Sequence, residues 1–147
     1  MFERIVAAID TDPDRSVLVA DAATQLAVAF RSQVLVVHVR DLERSAALVG
    51  AGRPGATPPL LHIESEEEAT ALVNGVVERL RGADVSAEGR VHSGEGSTAR
   101  ELLEVAKDHR ASLIIAGDRG SRVTDLLLGS VAHKIVHLAP CPVLLVR

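Results

Sequence analysis

RIVAAIDTDP, residues 4–13, is the stretch that decides the fold. Its first six residues form a short apolar run, and the polar cluster from Asp10 to Pro13 ends that run at once. A short apolar run that stops at turn-forming residues predicts a buried strand. Asp12 or Ser16 is then placed to cap a helix, because apolar residues recur at helical spacing from Val19 to Phe30.

The rest of the chain repeats this alternation of strand and helix. Three apolar runs predict strands, namely Gln33 to Val39, Ser112 to Ala116 and Val143 to Val146. A fourth segment, Val85 to Val91, alternates apolar and polar residues, which predicts a half-exposed strand near a sheet edge. Helices are predicted after Ser65, which opens a capping box with Glu68, after Ser97 or Thr98, and from about Ser130 to Leu138. Clustered Gly and Pro residues predict a long loop over residues 41–63.

The order of these elements predicts one α/β domain over residues 1–147. Strands that alternate with helices pair in parallel and connect by right-handed crossovers, which gives an open sheet with helices on both faces. We expect five parallel strands in the order 3-2-1-4-5, so that the order reverses between the first and fourth strands. Ligands bind in the crevice at such a reversal, beyond the carboxyl ends of the strands.

The composition argues against several classes of partner. The net charge is −4 and the Lys and Arg residues are scattered, so there is no basic stripe for nucleic acid. No apolar run approaches the roughly 20 residues that span a bilayer, so we expect no membrane segment. Cys141 is the single cysteine and forms no internal disulfide, which favours a reducing, cytoplasmic location.

Glycine and polar residues follow the strands that border the predicted crevice. Asp10 ends the first strand and Gly117 ends the fourth, so the topology puts both at one cleft. Gly129 and Ser130 begin the last helix, where backbone N–H groups and a hydroxyl suit an anion. A phosphate can approach the backbone closely at glycine, since no side chain holds it away.

At these positions the chain resembles the universal stress protein family, and within it the ATP-binding branch. The resemblance spans the whole length, from the strand ending in Asp10, through Val36 to Val39 (VVHV) and the glycine run, to Ala139 to Val146 (APCPVLLV). The binding motif of the family is Gly, two residues, Gly, nine residues, Gly, and Ser or Thr. The chain matches the four residue types of this motif at Gly117, Gly120, Gly129 and Ser130. Eight residues, not nine, separate Gly120 from Gly129.

The resemblance implies a Rossmann-like fold and ATP, ADP or AMP as the bound nucleotide, with or without Mg²⁺. It implies that Asp10 meets the ribose or the adenine edge, and that backbone near Ala8 and Val39 lines the adenine pocket. The ribose and phosphates would lie against Gly117, Gly120, Gly129, Ser130 and Val131. From position alone, Arg119 and Arg122 are placed to add charge to a polyphosphate.

Plainer interpretations stand beside this one. Gly117 and Gly120 are also typical of an ordinary strand-to-helix turn, and Asp10 alone is typical of a helix cap. His133 and His137 have a spacing that binds metal, but no third ligand accompanies them, so solvated histidines and no metal site are expected. Cys141 lies between two prolines with no identifiable base, which favours a small buried residue over a nucleophile.

The leading hypothesis is therefore a nucleotide-binding stress-response regulator, not an enzyme, with no catalytic residues. Asp118 is the sole carboxylate in the glycine run, so no base beside the phosphates is evident, and any ATP hydrolysis is slow and incidental. We expect a homodimer through the strand at residues 142–147, because an apolar edge strand favours pairing with a second chain. We also expect an unknown protein partner. One rival is a nucleotide-free member of the family whose dimer surface does the work. The other is an adenylating enzyme, which lacks support because no glycine-rich loop follows the first strand.

Overall fold

The computed structural model describes residues 1–40, 63–94, 96–118 and 128–147, and the predicted loop over residues 41–63 lies outside them except for its last residue. Along the described residues every predicted strand and helix is present, with strand ends that differ from the predictions by at most one residue. The elements are β1 (Arg4–Ala8), α1 (Pro13–Phe30), β2 (Gln33–Val39), α2 (Glu66–Gly82), β3 (Ser86–His92), α3 (Thr98–Asp108), β4 (Leu113–Gly117), α4 (Ser130–Leu138) and β5 (Val143–Val146).

The five strands form one sheet in the order β3-β2-β1-β4-β5, and every neighbouring pair is parallel. The predicted order is thus confirmed. β1 lies at the centre, where Ala8 pairs with Val37 of β2 on one side and with Ala116 of β4 on the other. The alternating segment is the edge strand β3, as its pattern predicted.

Helices cover both faces of the sheet because successive residues of each buried strand point to opposite sides. On one face, Ile5 and Ile115 pack with α1 and with Leu80 of α2. On the other face, Ile114 packs with α3 and with Ile135 of α4. Each of these five side chains is at most 1% exposed, and full burial of one such side chain contributes about 1.5–3 kcal/mol.

Polar residues fix where the helices begin. Asp12 is the N-cap of α1 and accepts hydrogen bonds from the N–H groups of Asp14 and Arg15. Ser65 and Glu68 form the predicted capping box at the start of α2. These bonds satisfy N–H groups that the helix itself leaves without partners, which anchors both helix starts at the carboxyl edge of the sheet.

Ser97 stands at the N-cap of α3, as predicted, but its side chain makes no capping hydrogen bond. Glu101, in the first turn of the helix, accepts the N–H of Gly96 at 3.0 Å and so holds the residue before the N-cap against the helix.

Gly89 lets α2 pack tightly on the edge strand β3. A Cβ at this position would clash with the side chain of Val73 and come within 3.1 Å of Val77. The absent side chain therefore sets how closely the helix approaches the sheet.

Candidate functional site

The carboxyl ends of β1 and β4 lie side by side at the point where the strand order reverses. Ala8 and Ala116 are register partners, and the chain continues from them to Asp10 and to Gly117 and Asp118. An open parallel sheet has its natural binding crevice here, because the connections from these two strands leave to opposite faces. We call this region the switch-point cleft, defined by Asp10, Arg15, Gly117, Asp118 and Gly129.

Asp10 forms one wall of the switch-point cleft. Its Oδ1 accepts the N–H of Asp12 at 2.8 Å, and its Oδ2 pairs with Nε of Arg15 at 2.8 Å. Its backbone oxygen accepts the hydroxyl of Ser16 at 2.8 Å. The interpretation of Asp10 as the cap of α1 is wrong, since Asp12 holds that position.

Arg15 crosses the switch-point cleft from α1. Its Nη1 also lies 2.9 Å from Oδ2 of Asp12, so two carboxylates hold one guanidinium. Its aliphatic stem covers Gly117, because a Cβ at that glycine would lie 3.2 Å from both Cβ and Cδ of Arg15. Glycine at position 117 therefore leaves room for the arginine.

Asp118 forms the opposite wall and is buried, with 5% of the residue exposed. Its Oδ1 accepts the N–H of Gly129 at 3.0 Å, and its Oδ2 lies 3.0 Å from Nη2 of Arg147. Its own N–H donates to the backbone oxygen of Val146 at 3.0 Å. One carboxylate thus joins the end of β4, the start of α4 and the end of β5.

The remaining predicted binding residues lie around this cleft at the ends of the elements. Val39, the last residue of β2, is buried, and Ala8, the last residue of β1, is half-buried. Ser130 and Val131 open α4 and are exposed, while Gly129 is its N-cap. Arg119, Gly120 and Arg122 lie outside the described residues.

A second polar cluster closes the carboxyl ends of β2 and the start of α2. The buried His38 places Nδ1 3.0 Å from the backbone oxygen of Ile9 and Nε2 2.8 Å from the carboxylate of Glu64. Arg40 donates to the backbone oxygen of Glu64 at 2.7 Å. These contacts tie the entry to α2 onto the central strands and leave the imidazole with partners on both nitrogens.

A third polar group lies at the end of β3. His92 contacts the buried carboxylate of Glu101 through Nε2 at 2.6 Å. A Cβ at Gly94 would clash with that same carboxylate, so Gly94 lies directly against the Glu101 side chain. These contacts hold the end of β3 against the first turn of α3, which is a structural role.

The single thiol lacks the features of a nucleophile. Cys141 is half-buried, and burial raises the pKa of its thiol. Reactive cysteines have a lowered pKa, since the thiolate is the attacking species. Cys141 therefore packs as a small apolar side chain against the β4 face that carries Ile114.

Within residues 1–40, 63–94, 96–118 and 128–147, no group of three or more His, Cys, Asp or Glu side chains could hold a metal ion. His133 and His137 are exposed on α4, and their rings lie against each other with centroids 4.4 Å apart. Across the same described ranges, no helix is long and apolar enough to cross a membrane.

Sequence reasoning missed Arg15 and Arg147 as parts of the cleft. Arg15 lies in the first turn after the crevice-forming strand, and that placement alone was the available signal. Arg147 follows the last strand, whose carboxyl end lies on the same edge of the sheet. The choice of carboxylate partner for each guanidinium depends on side-chain rotamers, which cannot be predicted from the hydrophobic pattern of the sequence.

Comparison with known proteins now identifies the family. The Universal stress protein family matches residues 1–147. The universal stress protein YxiE of Bacillus subtilis is 33% identical over 154 residues, which cover 100% of this chain and 100% of that protein.

Solved structures have the same fold. The universal stress protein of Archaeoglobus fulgidus in complex with dAMP superposes with a TM-score of 0.68 at 21% identity, covering 100% of this chain and 98% of that chain. A universal stress protein in complex with cAMP gives a TM-score of 0.69 at 19% identity, covering 99% of this chain and 97% of that chain. The sequence match over the full length, together with this shared fold, shows that the chain belongs to the universal stress protein family.

Proposed function

We propose that the chain binds an adenine nucleotide, ATP or its products ADP and AMP, in the switch-point cleft and acts as a regulator. The observation that carries the proposal is the convergence of Asp10, Gly117 and the N-terminus of α4 at one crevice. Two structurally similar family members have been solved with dAMP and with cAMP. Their adenine and phosphate groups are the chemistry that this cleft suits.

The start of α4 offers the phosphate side of the site. Ser130 is exposed in the first turn, and no acidic residue occupies that turn. A helix N-terminus with free N–H groups and a hydroxyl attracts an anion through both hydrogen bonds and the helix dipole. Arg119, Gly120 and Val131 remain predicted contacts, and Mg²⁺ remains a predicted companion of a polyphosphate.

Regulation, not catalysis, is the proposed output. Each described carboxylate of the cleft contacts a guanidinium, since Asp10 and Asp12 share Arg15 and Asp118 pairs with Arg147. The oxygens of Asp10 and Asp118 are already engaged by N–H groups and guanidinium groups, so neither carboxylate is placed to accept a proton from an attacking water. We expect ATP turnover well below about one per second, the low end of typical enzymes.

The proposed assembly is a homodimer through residues 142–147 in the cytoplasm, with a further protein partner of unknown identity. β5 is one of the two edge strands of the described sheet, and Leu144 on it is 37% exposed. On the neighbouring helix α4, Leu138 is 66% exposed and Val136 is 44% exposed. Antiparallel pairing of two β5 edges would satisfy their backbone groups and cover this apolar surface.

Leu144→Lys tests the assembly, because a charge on an edge strand discourages pairing. We expect sedimentation to report a dimer for the unaltered chain and a monomer for Leu144→Lys. Val28→Lys is the control, since Val28 is 60% exposed on α1 and belongs to neither β5 nor α4. An unaltered chain that stays monomeric at high concentration contradicts the dimer.

Gly129→Val tests the nucleotide site. The added side chain stands where the phosphates would meet the start of α4, so we expect calorimetry to show ATP binding by the unaltered chain and none by the variant. Gly75→Val is the matched control, because a Cβ at Gly75 on α2 meets nothing within 4 Å. Native mass spectrometry of the purified protein should show which adenine nucleotide it carries. Absence of binding at millimolar ATP contradicts the proposal.

A specific observation favours a second candidate, a nucleotide-free member whose dimer surface is the working element. In the described cleft, Asp10 already holds Arg15, and the N–H of Gly129 already donates to Asp118. The shortened spacing between Gly120 and Gly129 agrees with this candidate. The ATP titration separates the two, since this candidate requires that Gly129→Val change nothing in binding.

A further inference from the structure

Arg15 occupies two positions that a nucleotide in the switch-point cleft would use. Its Nε holds Oδ2 of Asp10 at 2.8 Å, and its stem packs over Gly117. Its side chain is 21% exposed, so the head and stem are mostly enclosed by the cleft. A ligand that contacts both Asp10 and Gly117 must therefore move this side chain.

Moving Arg15 has an electrostatic cost that depends on the ligand. The guanidinium neutralises Asp10 and, through Nη1 at 2.9 Å, also Asp12. When it leaves, the carboxylates of Asp10 and Asp12 lose this counter-charge, and the loss costs more in a partly enclosed cleft than in bulk water. A neutral nucleoside offers the displaced guanidinium no anion in exchange.

A phosphate does offer that exchange. Guanidinium groups bind phosphate and carboxylate with the same planar, two-pronged geometry, and such charged hydrogen bonds are among the strongest in proteins. Arg15 lies in the first turn of α1, beside the cleft. Its guanidinium can therefore change partner by rotation about the bonds of its own side chain. Among the described residues, a second guanidinium near the cleft, that of Arg147, is held by the buried Asp118.

We infer that Arg15 is a specificity-determining residue, which exchanges the carboxylates of Asp10 and Asp12 for a phosphate of the ligand and so selects nucleotides over nucleosides. This inference rests on the proposed nucleotide site and names its ligand class, a phosphorylated adenosine. The neutral part of the ligand gains the space over Gly117 and a contact with Oδ2 of Asp10, the oxygen that Arg15 holds. The charged part supplies the new partner for the arginine.

Calorimetric titration of adenosine and AMP into variant proteins tests this inference. Arg15→Met keeps most of the stem and removes the charge, so we expect the ratio of AMP affinity to adenosine affinity to fall about tenfold to a hundredfold. Arg15→Ala also uncovers Gly117, so adenosine should bind at least as tightly as to the unaltered chain. Arg15→Lys keeps a charge without the two-pronged geometry and should restore part of the ratio.

Arg100→Met is the matched control, because Arg100 is 74% exposed on α3 and pairs with Glu104 away from the cleft. Thermal melting shows whether each variant is folded before titration, and the three substitutions at position 15 give three independent chances of a folded protein. If AMP binds and Arg15→Met leaves the AMP to adenosine ratio unchanged, the role of Arg15 is overturned and the nucleotide site stands. If the unaltered chain binds neither AMP, ATP nor adenosine, both the site and the inference are overturned.

Discussion

The two ends of the central strands β1 and β4 are built from different kinds of polar contact. At the amino end, the hydroxyl of Ser112 accepts the N–H of Arg4 at 2.9 Å and donates to its backbone oxygen at 2.9 Å. The buried hydroxyl of Ser32 donates to the backbone oxygen of Phe2. At the carboxyl end, the hydroxyl of Ser16 also bonds to the backbone, but two further contacts join charged side chains, Asp10 with Arg15 and Asp118 with Arg147.

From this difference we expect the amino end to contribute mainly to the stability of the fold and the carboxyl end mainly to ligand binding. A neutral hydroxyl gains nothing by exchanging its backbone partner for an anionic ligand, so it stays in place. Its hydrogen bond contributes roughly 1 kcal/mol to the free energy of unfolding. A guanidinium that holds a carboxylate can exchange it for a phosphate at little net cost. We therefore expect the amino end to hold the strands together and the carboxyl end to accept the anion of the proposed nucleotide.

The largest expected effect on stability comes from the amino end. Ser112→Ala removes both bonds to Arg4 and leaves its N–H without that partner, so the free energy of unfolding should fall by about 2 kcal/mol. ATP affinity should not change. Urea unfolding and calorimetry measure the two quantities, and Ser86→Ala is the control because that exposed serine begins the edge strand β3. Equal stability of the two variants would contradict the assigned role of the amino end.

A smaller effect on stability, with an effect on binding, is expected at the carboxyl end. Asp118→Asn keeps an oxygen for the N–H of Gly129 and removes the charge that faces Arg147. Stability should change by at most about 1 kcal/mol, because Arg147 is 59% exposed and water replaces the lost partner. ATP affinity should rise several-fold, since a negative charge beside the phosphates is gone. A large loss of stability with unchanged ATP affinity would show that the contacts at the carboxyl end also serve to stabilise the fold.

Sequence patterns were sufficient for the architecture but not for the charge contacts of the cleft. Apolar runs predicted the buried strands β1, β2 and β4, and residue spacing predicted the capping box at Ser65. The structure confirms both predictions. The position of Asp10 and Gly117 at one crevice followed from the strand order alone. The pairing of Arg15 with Asp10 and that of Asp118 with Arg147 were not predictable, because a long arginine side chain has several charged groups within reach. The predicted ligand contacts themselves stay predictions.

The smallest expected effect is a pH dependence of stability from the amino end. His109 follows α3 and is half-buried, and burial lowers the pKa of its imidazole from the ordinary 6.5. The positive charges of Arg4 and Arg90 lower this pKa further, and Glu88 opposes them. Below about pH 6.5 the unfolded chain therefore binds a proton that the folded chain resists.

It follows that the contribution of His109 to stability is complete above about pH 6.5 and is lost as the pH falls through the lowered pKa of the folded state. His109→Gln removes the titrating group, so its free energy of unfolding should fall less than that of the unaltered chain between pH 7.5 and pH 5. Arg90→Met should reduce the dependence by a smaller amount, because one repelling charge is gone while burial remains. Urea unfolding across this range gives the curves, and parallel curves for His109→Gln and the unaltered chain would exclude the histidine as their cause. Because His109 lies at the amino end, ATP affinity of His109→Gln should match the unaltered chain at both pH values.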